Sequence, residues 1–183
     1  MKKLRFISMM CLLALFVVSL VGCKKEDVNN NGNNNGNGGS GGGGSDQADY
    51  VDLGLPSGTK WKSSNETGGY QNVYYTFDEA ISSFGDKLPT KEQCEELKYN
   101  CTWEWQNNGG YKVTGQNGNS IVLPAAGYRR CDGNVLHVGY HGSYWSSTPD
   151  DSEYARCLDF NSGEVYILSY NRCFGQTVRL VQD

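Results

Sequence analysis

From Asn29 to Ser45 the chain contains only asparagine, glycine and serine, and this tract decides which parts can fold together. Such residues have no apolar surface to set against the entropy of ordering, so a flexible coil is expected. The segment after it, residues 47–183, must therefore form its own core. It has the common size of a single domain and shows neither an internal repeat nor a second linker. Counted from Cys23 to Asp46, a Gly-rich coil has an r.m.s. reach of about 25 Å and a stretched length of about 75 Å. It reads as a tether.

What lies before the tether reads as an export signal. Lys2, Lys3 and Arg5 form a positive start, Phe6 to Val21 is an almost unbroken apolar run, and the small residue Gly22 precedes Cys23. This order fits a cleaved signal peptide over residues 1–22. The stretch is short for a membrane span, and a polar tract follows it. Leu20-Val21-Gly22-Cys23 resembles the lipobox of bacterial lipoproteins, which implies lipidation of Cys23 and a membrane partner held through an acyl chain. Lys24-Lys25-Glu26-Asp27 resembles the charged signals that send some Bacteroidota lipoproteins to the outer face of the outer membrane. The expected location is therefore the outer membrane, at the cell surface.

Charge narrows the partners of the folded segment. From Asp46 onward it carries 11 basic and 18 acidic residues, a net charge of −7, with no basic cluster beyond Arg129-Arg130. Nucleic acid and anionic lipid both require concentrated positive charge, so neither is expected as a ligand. Five cysteines fall in this segment: Cys94, Cys101, Cys131, Cys157 and Cys173. Export permits disulfides, and an odd number leaves at least one thiol unpaired. No CxxC or Cys/His ligand spacing is present, so no structural zinc site is expected.

Local patterns predict helices first and strands after. Thr76-Phe77-Asp78-Glu79 and Thr90-Lys91-Glu92-Gln93 each fit a capping box. The first helix should bury Phe77, Ala80, Ile81 and Phe84 and stop at Gly85; the second places Cys94, Leu97 and Cys101 on one face. Seven residues of helix rise by about 10 Å, beyond the roughly 7 Å limit for a disulfide, so Cys94 and Cys101 should not pair while the helix persists. Tyr50-Leu53 reads as a first strand, followed by a turn at Leu55-Pro56-Ser57-Gly58. After Trp103 and Trp105, hairpins are expected across Gly115–Asn119 and across Asn161-Ser162-Gly163, with a final strand over residues 177–181. The fold class is α+β.

Longer stretches carry a resemblance. Tyr50-Val51-Asp52-Leu53-Gly54-Leu55-Pro56-Ser57-Gly58-Thr59-Lys60-Trp61, Leu88-Pro89-Thr90-Lys91-Glu92-Gln93, Leu123-Pro124-Ala125-Ala126-Gly127-Tyr128-Arg129, Tyr144-Trp145-Ser146-Ser147-Thr148-Pro149 and Val178-Arg179-Leu180-Val181 run in order through the segment. They resemble the Fibrobacter succinogenes major paralogous domain family. That resemblance implies a C-type-lectin-like fold of the formylglycine-generating-enzyme type, with two short helices packed on a small twisted antiparallel sheet. Cys94 and Cys157 depart from the family pattern, and neither looks like a shared catalytic group. A Cys131–Cys173 disulfide is expected, joining the loop after the Leu-Pro-Ala-Ala-Gly-Tyr strand to the loop before the last one. Closing a loop of about 40 residues contributes a few kcal/mol.

Residues 139–172 are crowded with tyrosine among small polar residues, the composition of antibody-like binding surfaces. Tyrosine gives large amphipathic contact at little rotamer cost, and Ser, Asn and Gly give adaptable hydrogen bonds. Period-two alternation puts Leu158, Phe160, Val165 and Ile167 on one face, and Cys157, Asp159, Tyr166, Leu168 and Tyr170 on the other. The second face is expected to meet solvent. The candidate ligand residues are Tyr140, His141, Tyr144, Asp150, Asp151, Arg156, Asp159, Tyr166, Tyr170 and Arg172, facing a glycan or protein. Cross-strand tyrosines also stabilise hairpins without any ligand. The resemblance adds that some lectin-like domains of this type are diversified by retroelements in this C-terminal region.

Chemistry is mostly declined by the sequence. His137 and His141 are four apart, a ligand spacing only on a helix, which Gly139 and Gly142 disfavour; no metal and no cofactor are expected. Asp150, Asp151 and Glu153 offer clustered oxygens for a loose calcium site, but read more simply as a charged exposed loop. A formylglycine-generating-type oxidase would need reactive thiols, with Cys157 and Cys173 as the candidates, and no catalytic motif surrounds them. An enzyme is therefore not expected. A structural subunit of a surface assembly normally shows a donor strand or a large apolar patch, and neither is read here.

Overall fold

The computed structural model describes residues 49–183. The expected signal peptide of residues 1–22, the lipidation site Cys23 and the tether of residues 23–46 lie outside the described residues. Within them the fold is mixed and sheet-rich, with two helices and several small antiparallel sheets. No helix among the described residues is long and apolar enough to cross a membrane.

Both capping boxes form as the sequence predicts. Helix α1 spans Phe77–Phe84: the Thr76 hydroxyl accepts from Glu79 N–H, and the Glu79 carboxylate accepts from Thr76 N–H at 2.8 Å. Helix α2 spans Lys91–Asn100 and repeats the exchange between Thr90 and Gln93. Each box satisfies two backbone donors that a helix start otherwise leaves open. Gly85 ends α1 at φ 52°, a conformation costly for other residues. Cys101 follows the last residue of α2, and Cys94 and Cys101 are both free thiols.

The strands form four small sheets. β1 (Tyr50–Asp52), β2 (Lys60–Lys62) and β11 (Val181–Gln182) bring the two ends of the described segment together, with β2 central. The turn from Leu55 closes as expected, Gly58 N–H donating to Leu55 O at 2.9 Å. β3 (Thr102–Trp105), β4 (Gly110–Thr114) and β5 (Ser120–Pro124) make a meander, so the strands begin before Trp103 rather than after Trp105. β6 (Tyr128–Arg129) pairs with β7 (Val135–Leu136). β8 (His141–Pro149), β9 (Tyr154–Asn161) and β10 (Val165–Asn171) form the long sheet in the order β10-β9-β8. The expected strand over residues 177–181 is shorter than its apolar pattern: residues 175–177 make isolated bridges, and pairing resumes only at Val181.

Two apolar clusters sandwich the long sheet. On one face Leu158 and Phe160 meet Cys94 and Leu97 of α2, together with Val113 and Leu123 of the meander. On the other, Trp145, Ala155 and Cys157 meet Phe77 and Ala80 of α1 with Val178 and Leu180. Trp145 is fixed there by its Nε1–H, which donates to Tyr75 O at 2.8 Å, and by the edge of Phe77 at 5.5 Å between centroids. The alternation read along β9 and β10 is therefore correct in register, but the second face of β9 is not a solvent face. A central strand covered from both sides buries both of its side-chain sets.

Candidate functional site

The uncovered part of that second face lies beyond the reach of α1, where β8 begins and β9 ends. Asp159 on β9 is 2% exposed. Its Oδ1 lies 2.9 Å from Nε2 of His141, the first residue of β8, whose side chain is 18% exposed. Burial, and then the charge of Asp159, push the phenol of Tyr170 upward. Nδ1 of His141 and the hydroxyl of Thr177 are buried with no hydrogen-bond partner among the described residues.

Around this pair stands a cluster of rings. Tyr128 of β6 is its hub, with centroids 5.6 Å from His137, 5.6 Å from His141, 6.0 Å from Tyr170 and 5.8 Å from Phe174. These rings come from four stretches: β6, the loop into β8 together with that strand's first residue, β10 and the loop before β11. The Cys131–Cys173 disulfide ties two of those stretches together, with Cα atoms 5.2 Å apart, as expected from the sequence. His137 holds a positive φ of 61°, and its carbonyl accepts from the N–H groups of both Tyr140 and His141 at 3.0 Å. That tight turn lifts Tyr140 into solvent at 76% exposure.

The sequence-predicted site residues divide into three groups. His141 and Tyr170 belong to the half-buried part of the cluster, Tyr166 lies opposite Asp159 in register, Tyr140 precedes His141 on the exposed turn, and Asp159 is a buried floor rather than an exposed contact. Tyr144 is a correction: it is 2% exposed, stacks on Phe160 and donates to Pro124 O at 2.8 Å. Burial pushes its phenol up to about 12. Its neighbour in register is Leu158, so it occupies the face covered by α2.

The third group stands apart from the cluster. Arg156 pairs in register with Ser169, on the face opposite Asp159 and Tyr170. There Asp150 accepts from both Ser169 and Arg156, which hold its carboxyl below the usual range, Ser169 first. Asp151 accepts from the N–H groups of Glu153 and Tyr154 at 2.7 Å each. Arg172 bonds Asp78 of α1 and lies over the Phe77 ring at 4.8 Å. The carboxylates of Asp150 and Asp151, offered by sequence as cation ligands, are engaged within the loop. Among the described residues no group of three or more His, Cys, Asp or Glu is arranged to hold a metal ion.

The thiols considered for chemistry are not poised for it. Cys157 is fully buried between Trp145 and Leu168 in register, and burial followed by the charge of Asp159 pushes its thiol well up. Reactive cysteines need the reverse, a lowered pKa and access to solvent. Cys173 is consumed in the disulfide.

Sequence reasoning missed Tyr128 and Phe174 as site residues, and weighed His137 only as a metal ligand. The signal available for Tyr128 was its place just after Gly127, where a Cβ would run into the Leu136 carbonyl, so that β6 and β7 must approach closely. A cleft of about 810 Å³, also unread in the sequence, opens between β1, β2, β11 and the end of α1. It is lined by Tyr50, Lys62, Phe84, Lys87, Leu180 and Gln182 among others, and it shares no residue with the ring cluster.

Residues 102–181 match a family described as Domain of unknown function (DUF8237). That span covers less than half of the chain; it takes in every ring of the cluster, the His141–Asp159 pair and the disulfide, and leaves out both helices. No curated protein and no solved structure matches the chain.

Proposed function

We propose that this chain is a lipid-anchored, surface-exposed lipoprotein whose folded segment is a C-type-lectin-like binding domain for a glycan or protein. The observation that carries the reading is the ring cluster of Tyr128, His137, His141, Tyr170 and Phe174, assembled from four stretches and clamped by Cys131–Cys173. Holding half-exposed rings together over the buried His141–Asp159 contact orders bulky side chains before any ligand arrives, which lowers the entropy cost of binding. Sugar rings stack on such aromatic faces, and protein contacts favour the same residues. Two helices on a small antiparallel sheet support the lectin-like assignment, and the Leu20–Cys23 motif supports the anchor. A formylglycine-type oxidation is disfavoured by the burial of Cys157 and the bonding of Cys173.

The test is a screen of the full chain against immobilised glycans and cell-surface proteins, repeated with Tyr140→Ala and His137→Ala. A ligand lost in both variants, with the disulfide intact, supports the site. A ligand unaffected by either moves binding elsewhere, and the cleft beside Lys62 and Lys87 is then the surface to alter.

A further inference from the structure

Among the described residues β10 is an edge strand whose outer side meets no other strand. Asn161 N–H donates to Glu164 O at 3.1 Å and Arg172 N–H donates to Glu153 O at 2.8 Å, which fixes the alternation of the β9–β10 ladder. The backbone groups of Tyr166, Leu168 and Tyr170 then face β9, and those of Val165, Ile167 and Ser169 face outward. Among the described residues those outward groups have no backbone partner. Natural edges are blunted by lysine, proline, bulges or brevity. β10 uses none of these devices: Val165-Tyr166-Ile167-Leu168-Ser169-Tyr170-Asn171 carries no charge or proline and runs beside β9 without a register shift.

We propose that this edge pairs with β10 of a second copy of the chain, antiparallel about a twofold axis at Leu168, joining two three-stranded sheets into one. The side chains select both occupant and register. With Leu168 opposite the partner's Leu168, Tyr166 lies opposite the partner's Tyr170, and the reverse pair forms across the axis. Ile167 and the partner's Ser169 then exchange their outward N–H and C=O bonds. Just beyond the strand, Glu164 falls opposite the partner's Arg172 at both ends, so the guanidinium that already holds Asp78 within its own copy would meet a second carboxylate there. Such cross-strand pairs are the unit of sheet stability, and identical edges meet in this self-complementary way.

Moving the axis to Ile167 sets Glu164 against the partner's Tyr170 and Tyr166 against the partner's Leu168, and the charge match is gone. A foreign strand would satisfy the backbone equally but gives no reason for the two tyrosines, Tyr166 and Tyr170, placed symmetrically about Leu168. The paired sheet carries Tyr166, Leu168 and Tyr170 of both copies on the face that holds His141 and Asp159. Two ring clusters are then presented together, which multiplies avidity for a repeated ligand. The pairing itself does not depend on that cluster binding anything.

The test is Leu168→Cys in the full chain, expressed in a bacterial host and mildly oxidised on intact cells. Directly opposed Cβ atoms lie about 4.5–5.5 Å apart, at the edge of disulfide reach. The expected result is a covalent dimer linked 168 to 168, absent from the unaltered chain and from Val122→Cys, an exposed position on β5. A chain that stays monomeric overturns the proposal. A link to a different protein overturns it too, assigning the edge to a foreign strand. Leu168→Lys gives an independent reading, because it sets like charges on the axis: the non-covalent dimer fraction of the full chain, read by sedimentation in detergent, should fall at least tenfold from that of the unaltered chain. An unchanged fraction, or no non-covalent dimer of the unaltered chain, overturns the pairing.

Discussion

Nε2 of His141 lies 2.9 Å from Oδ1 of Asp159, joining the start of β8 to the end of β9 beneath the ring of Tyr128. Removing the imidazole leaves a buried carboxylate without the ring nitrogen that faces it. Breaking a buried pair from one side costs about 3–5 kcal/mol, and the 18% exposure of His141 favours the lower end. His141→Ala is therefore expected to destabilise the fold by about 3 kcal/mol. The double variant with Asp159→Asn should lose less, because no charge is stranded. Denaturant unfolding of both variants measures this; equal losses would mean that the two groups do not act as a pair.

The Cys131–Cys173 bond closes a loop of sequence separation 42. Loss of such a crosslink costs about 2–4 kcal/mol, chiefly by freeing the unfolded chain. Replacing both cysteines with serine should lower stability by that amount and loosen the ring cluster, since the loops carrying Tyr128 and Phe174 are no longer tied. Thiol titration of the folded protein should find Cys94 and Cys157 unreactive, both being buried. Cys101, half-buried and pushed up to about 11 by burial and Glu96, should react slowly at neutral pH. Rapid alkylation of Cys157 would reopen thiol chemistry at this sheet.

Local signals were read well where local forces decide. The helices begin at Thr76 and Thr90 because a hydroxyl and a side chain three residues on satisfy each other's backbone, and nothing distant is needed. The register along β9 and β10 follows from period two in the same way. What the alternation does not contain is which face is wet. Ala155 and Cys157 on one face and Leu158 and Phe160 on the other make both sides of this strand apolar or small, interrupted by Arg156 and Asp159; it is the central strand, covered on both faces. The ring cluster was illegible for a different reason. Its members lie as far apart as Tyr128 and Phe174, and only the packed loops bring them within 5.8 Å.

Asp150 gives a pH dependence with a definite sign. Ser169 and then Arg156 hold its carboxyl below the usual range, so the folded pKa is lower than the unfolded one. The stabilisation is fully present above the ordinary Asp value of about 3.9, and is lost as pH falls through the folded pKa. Ser169→Ala removes the larger contribution and should raise the Asp150 midpoint toward its ordinary value, with little change in stability at neutral pH because the site is exposed. Carbon-detected NMR titration of the carboxyl reads this directly; an unmoved midpoint would assign the depression to Arg156 instead.

Arg179 carries the last prediction because it ties two sheets and the loop at Asn65 through one buried side chain. Its guanidinium donates at 2.7 Å to Asn65 Oδ1, to Lys62 O on β2 and to Val122 O on β5, and it is 1% exposed. Arg179→Met fills much of the volume but strands those acceptors, each costing about 1–3 kcal/mol when buried. The expected loss is about 3–5 kcal/mol, in the range that marks a broken buried network. Arg179→Lys should recover little, since one compact ammonium cannot reproduce a planar fork reaching three acceptors. A second readout separates lost packing from lost charge. Burial pushes Tyr144 up to about 12, while Arg179 pulls it down by its positive charge. The phenolate absorbance of Tyr144 should therefore shift to higher pH in Arg179→Met and stay near its original position in Arg179→Lys, even if both variants lose similar stability.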